Sequence, residues 1–287
     1  MSHCSLLAPE GHFLVGVRVI LPGFTTNAQP KLPGIHPRPT AQRIAGSLDR
    51  TCGHVSLQRI PQVKQEARTC AKDLMASGGG PMSETRFWLI RHAVVDDNAR
   101  AILYGVMDVP LCETTLLEQG PMYRSLARRL PRDARWIVTP LSRTHRTAER
   151  IFRAGYPEAP LITEPELIEQ SLGEWQGLQH AELPARLTLP KHAFWPLAGR
   201  EKPPGGESMA DVIIRVGAAM ERLARTYDDA DVIIIAHGGS IRAAVAHALQ
   251  IGPDNALHLT VQNLSLTRLE RNPEGWRVVC VNELPGY

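Results

Sequence analysis

Residues 232–236 read Val-Ile-Ile-Ile-Ala, an unbroken apolar run dominated by β-branched side chains. A strand that is apolar at every position must be covered on both faces, which is the situation of a central strand in a parallel sheet. The chain is therefore expected to be α/β, with helices packed on both faces of a mainly parallel sheet. Arg86-Phe87-Trp88-Leu89-Ile90 and Arg135-Trp136-Ile137-Val138 are two further strand candidates. Met209, Val212, Ile213, Val216, Met220 and Leu223 recur at helical spacing and predict a long amphipathic helix before the central strand. Leu116 to Leu130 and Arg143 to Phe152 read as helices. Leu259–Leu269 and Trp276–Val281 read as a strand pair turning at Asn272-Pro273-Glu274-Gly275.

This pattern begins only after Met82. Residues 1–81 hold recurrent prolines and end in Ser77-Gly78-Gly79-Gly80-Pro81, a linker-like run. They carry a balance of +5, against −2 for the remainder. We read 1–81 as a disordered extension or a mis-assigned start, with a basic targeting peptide as the rival reading, and 82–287 as the folded domain. The Gly run is not a phosphate-cradling loop, because no Lys-Ser/Thr follows it. The net charge of +3 argues for neither a nucleic-acid nor a membrane partner. The five cysteines show no metal-ligand spacing, so free thiols in a reducing compartment are expected. With no apolar segment long enough to span a bilayer, a cytoplasmic location is expected; a homodimer is left open.

The chemistry lies where the strand candidates end. The first runs into Arg91-His92, the second into Thr139-Pro140-Leu141-Ser142-Arg143, and the third into His237-Gly238-Gly239-Ser240. Ligands of open α/β sheets bind beyond the carboxyl ends of the strands. Two arginines and two histidines should thus meet at one edge. Guanidinium forks suit phosphate, and the helix after Gly239 would offer backbone N–H groups to an anion.

Leu89-Ile90-Arg91-His92-Ala93, Asn98, Tyr104–Leu111, Thr139–Ala148, Leu167–Gly177, Pro204–Ser208 and Ala236–Arg242 together resemble, in order, the motifs of the histidine phosphatase superfamily, which includes phosphoglycerate mutases. The resemblance covers nearly all of 86–270 and implies the phosphoglycerate mutase-like fold. It implies that His92 is the nucleophile, that Arg91, Arg143, Asn98, His237 and Gly238 surround the phosphoryl group, and that Glu169 protonates the leaving oxygen and later activates water. It implies no metal and no cofactor. His92 must be unprotonated to attack, and His237 is expected as an imidazolium, so the two histidines would take opposite protonation states. Residues 178–203 should form a small cap that sets specificity, with Trp175 and Trp195 lining the entrance or packing.

Two positions depart from the family pattern. Ala93 stands where Gly is usual, and Val95 where Thr is common. The Arg-His-Ala form with Tyr104-Gly105 and Asp108 resembles the branch holding α-ribazole phosphatases. The expected activity is hydrolysis of a small phosphate monoester through a phosphohistidine. A mutase-type phosphotransferase is the nearest alternative, and a non-catalytic phospho-ligand binder is the alternative from another class.

Overall fold

The computed structural model describes residues 83–286. The readings made for 1–81 fall outside them. Six strands form one sheet in the order β3-β2-β4-β1-β5-β6. They are β1 (Thr85–Arg91), β2 (Arg135–Val138), β3 (Leu161–Thr163), β4 (Asp231–Ala236), β5 (Leu266–Asn272) and β6 (Gly275–Glu283). The apolar run is β4, and it lies between β2 and β1, parallel to both. β2 pairs parallel with β3, whereas β5 joins β1 antiparallel.

The period-two geometry of a strand divides the core into two layers. Phe87, Leu89, Val232 and Ile234 face one layer, with Val212, Val216 and Met220 of α5 (Met209–Thr226) and Ile241 and Val245 of α6 (Gly238–Leu249). Ile90, Ile233, Ile235 and Trp136 face the other, with Leu126 of α3 (Gly120–Arg129) and Ile151 of α4 (Ser142–Arg153). Short helices α1 (Asp97–Arg100), α2 (Glu113–Glu118) and α7 (Pro253–Ala256) complete the set. The start of α5 is a capping box: Ser208 Oγ accepts from the Asp211 N–H, and the Asp211 carboxylate accepts from the Ser208 N–H at 2.9 Å.

Two expectations need correction. The helix expected over 116–130 is two helices, α2 and α3, broken at Gln119. Pro121 has no N–H to bond back into the preceding turn. The strand expected from Leu259 begins instead at Leu266. Leu264 takes a positive φ of 61°, and residues 257–263 form a loop whose carbonyls serve the site below. β3 is a three-residue edge strand with two exposed positions, too short to show a period.

Residues 176–203 form a largely irregular flap with its own small core, in which Trp175, Leu183 and Leu197 pack with Leu103. Cys112 and Cys280 are free thiols. Among the described residues, no helix is long and apolar enough to cross a membrane.

Candidate active site

β1, β2 and β4 deliver their following residues to one edge. His92 and His237 are fully buried there, with ring centroids 5.2 Å apart. The Nδ1–H of His92 donates to the Ala93 carbonyl at 2.7 Å. That bond puts the lone pair on Nε2, which is buried and has no protein partner. Asn263 Nδ2 holds the His92 carbonyl at 2.7 Å. Burial, and then the charges of Arg143 and Arg91, push the His92 pKa well below its ordinary value. The result is a neutral ring whose Nε2 keeps its lone pair, a tautomer set by the bond at the other nitrogen.

Arg143 is fully buried. Its Nη1 and Nη2 donate to the Met107 and Gly105 carbonyls at 2.7 and 2.8 Å, and its Nε donates to His237 Nδ1 at 3.3 Å. Gly105 turns that loop with φ +41°, and an added Cβ would lie 2.9 Å from Gln176 Oε1. Asp108 accepts from Ser142 N and Oγ at 2.9 and 2.7 Å, so the same loop caps the helix that carries Arg143. Arg146 turns away to pair with Glu113.

The imidazolium expected at His237 is not what the free chain holds. Arg143 Nε is a donor, so Nδ1 must accept, and the single ring proton sits on Nε2 and donates to Thr139 Oγ1 at 2.8 Å. Burial first, then His92, Arg143 and Arg91, push the His237 pKa well below its ordinary value. Both histidines are therefore neutral before any anion enters. Thr139 was missed by the sequence reading, although it opens the Thr139-Pro140 turn.

Glu169 is half-buried. Its carboxylate accepts from the Gly239 N–H at 3.0 Å and from the Gln170 N–H at 2.9 Å. The α6 N-terminus, expected to offer its N–H groups to an anionic ligand, is thus engaged by the protein's own carboxylate at Gly239. An added Cβ there would lie 2.2 Å from Glu169 Oε1, so any larger residue would displace that carboxylate. Glu207, next to this loop, forms a two-pronged pair with Arg215 at 2.8 and 2.9 Å. Arg215 also donates to the Glu166 and Ile168 carbonyls at 2.7 and 3.2 Å, clamping the loop that presents Glu169. Glu166 and Glu174 are exposed.

Asn98, expected beside the phosphoryl group, makes no side-chain hydrogen bond among the described residues. It sits on α1, its side chain is exposed, and its backbone N–H donates to Asp96 at 2.9 Å. Ala93 keeps a negative φ, so glycine is not needed, and its N–H donates to Thr147 Oγ1 at 3.0 Å. Val95 is buried and bridges to Leu111, a packing role that explains a side chain without a hydroxyl.

Arg91, Glu169, Gly238 and Gly239 line a cleft of about 360 Å³. Its other walls are mostly apolar, including Tyr104, Leu172, Leu197 and Met209, and Trp195 and Pro196 come from the flap. Arg242 lines it too. Its place at i+4 from Gly238, on the same helix face, was the available signal. Among the described residues, no three His, Cys, Asp or Glu side chains gather in a way that could hold a metal ion.

The buried histidines make stability pH-dependent. Each has a folded pKa below its ordinary value of 6.5. Below pH 6.5 the unfolded chain binds protons that the folded chain refuses, so stability falls with pH by about 1 kcal/mol per unit for each histidine. The depressed carboxylates Glu113, Glu201, Asp211, Glu221 and Glu283 have ordinary values of 3.8–4.5. They add to the loss only at lower pH. Urea midpoints should drop between pH 7.5 and 5.5, and the drop should flatten in His92→Asn/His237→Asn. Equal wild-type midpoints at the two pH values would contradict the buried neutral pair.

A fold with parallel strands delivering two buried histidines and two arginines to one edge defines a phosphoryl-handling class of site. Residues 87–284 match the family model of the histidine phosphatase superfamily (branch 1), and the chain belongs to that family. A 2,3-bisphosphoglycerate-dependent phosphoglycerate mutase from Methylobacterium sp. (strain 4-46) is 31% identical over 160 residues, 55% of this chain and 77% of that protein. A glucosyl-3-phosphoglycerate phosphatase from Mycolicibacterium vanbaalenii is 30% identical over 182 residues, 61% and 78% of the two chains. The solved structure of a mycobacterial glucosyl-3-phosphoglycerate phosphatase superposes with a TM-score of 0.56 at 27% identity, covering 70% of this chain and 99% of that one. The chain spans 56% of the length of longer mycobacterial relatives, at 30% identity over 209 residues.

Proposed function

We propose that this chain is a metal-independent phosphomonoesterase that works through a phosphohistidine on a small phosphorylated metabolite. The observation that carries the reading is the state of His92: neutral, buried, pinned through Nδ1, and keeping an unpartnered Nε2 on a ring that feels the charges of Arg143 and Arg91. The lone pair on Nε2 attacks phosphorus in line, the P–O bond to the alcohol breaks, and the alcohol leaves with the proton of Glu169 in its acid form, which is left as the carboxylate. Water then attacks the phosphoryl group, Glu169 takes its proton, and the N–P bond breaks to restore neutral His92. Arg91 and Arg143 balance charge on the phosphoryl oxygens, which is most of what phosphoryl transfer asks of a protein. Neutral His237 already carries its proton on Nε2, and that N–H can turn from Thr139 to a phosphoryl oxygen.

The relatives named as glucosyl-3-phosphoglycerate phosphatases support hydrolysis, and those named as mutases make transfer between hydroxyls the competing outcome. A panel of phosphate esters, assayed for both inorganic phosphate and isomerised ester, separates them. Stoichiometric phosphate release is expected. Isomerisation exceeding phosphate release would make the chain a phosphotransferase, and neither product from any ester would favour a binding role.

A further inference from the structure

A second, larger cleft of about 760 Å³ adjoins the first, and Arg91, Trp195 and Arg242 line both. None of the residues lining the larger cleft is acidic. Arg242 is 5% exposed. Its Nε donates to the Leu259 carbonyl at 2.8 Å, and its guanidinium carbon lies 4.3 Å from the Trp195 ring centre. Among the described residues its two Nη groups donate to no protein acceptor. Arg91 spends Nη1 on the Val261 carbonyl at 2.7 Å and leaves Nε buried without a partner. An added Cβ on Gly238 would lie 3.2 Å from Arg242 Nη1 and 3.5 Å from Arg91 Cζ, so the two guanidiniums converge over that glycine. Gln119, His258, Thr260, Gln262 and Asn263 supply the rest of the polar lining.

Two converging guanidiniums, one buried and one half-buried, repel one another, and a bound anion relieves the repulsion. The cations acting on His92 are Arg143 and Arg91. Arg242 lies further along α6, braced by the flap tryptophan and by the 257–263 loop. We propose that Arg242, stacked on Trp195 and paired with Arg91, is the specificity-determining residue of a second anion subsite in the larger cleft. That subsite takes an anionic group, a carboxylate or a second phosphoryl, carried on the alcohol portion of the substrate. The assignment to substrate rests on the phosphomonoesterase reading; the anion subsite itself does not.

Binding tests it without turnover. A series of ω-phosphonoalkanoates of three to six carbons, and the matching bisphosphonates, are compared by calorimetry with methyl-terminated alkylphosphonates of equal length. In the wild type, at least one doubly anionic member should bind 30-fold or more tighter than its methyl-terminated partner. The class that gains most identifies the second group. Arg242→Met should reduce the advantage below 3-fold while leaving the methyl-terminated affinity within 3-fold. Arg242→Lys, which keeps the charge and loses the fork, should retain part of the advantage and guards against misfolding of the first variant. No advantage anywhere in the wild-type series would overturn the proposal. So would equal weakening of both ligands in the variants, which would put Arg242 on the scissile phosphate. Turnover of p-nitrophenyl phosphate by the wild type reports separately on the phosphomonoesterase reading.

Discussion

His92→Ala is expected to lower turnover of every phosphate ester by at least about 10⁵-fold, the scale of removing a covalent nucleophile whose partners cannot act without it. The loss should be the same for good and poor leaving groups. No other nitrogen in the site can replace Nε2: His237 Nδ1 is occupied by Arg143 and its Nε2 by Thr139. The variant should remain folded, because the removed ring makes one hydrogen bond, to its neighbour's carbonyl. Circular dichroism and a urea midpoint check this. Turnover within about tenfold of wild type would place the nucleophile elsewhere.

Glu169→Gln is expected to slow the phosphorylation step on an alkyl phosphate by about 10²–10⁴-fold, the usual worth of general acid catalysis. On p-nitrophenyl phosphate, whose phenolate leaves without a proton, the same step should slow far less. Single-turnover bursts are needed, because the same carboxylate also activates water in the second step. Glutamine keeps one carbonyl oxygen to accept from the Gly239 N–H, so the loop and the start of α6 should hold. Glu207→Gln is the contrasting variant. Glu207 is paired with Arg215 and acts by holding the Glu169 loop, so its loss should show the same unequal pattern at a smaller size. Equal slowing of both substrates by Glu169→Gln would remove the proton-donor role.

Much of this was legible in the sequence for identifiable reasons. The β4 run is apolar at every position because helices cover both faces, and that alone required a layered sheet. The residues after β1, β2 and β4 could be placed together because parallel strands end on the same side. What could not be read was the detail set by loops that meet only in three dimensions. The 257–263 loop looks strand-like in its apolar residues, yet its carbonyls receive Arg91 and Arg242. The protonation of His237 depends on Arg143 aiming Nε at Nδ1, which no spacing encodes. Glu169 was identified from its motif, but its use of the Gly239 N–H follows from how a separate loop crosses the start of α6.

The central claim is that His92 carries the phosphoryl group. Rapid acid-free quench of the enzyme during turnover of a ³²P-labelled ester, followed by peptide mapping, tests it directly. The account predicts label on the peptide containing His92, lost in acid, stable in base, and missing from His92→Ala. A label that survives acid, or that persists in the His92→Ala protein, would contradict it.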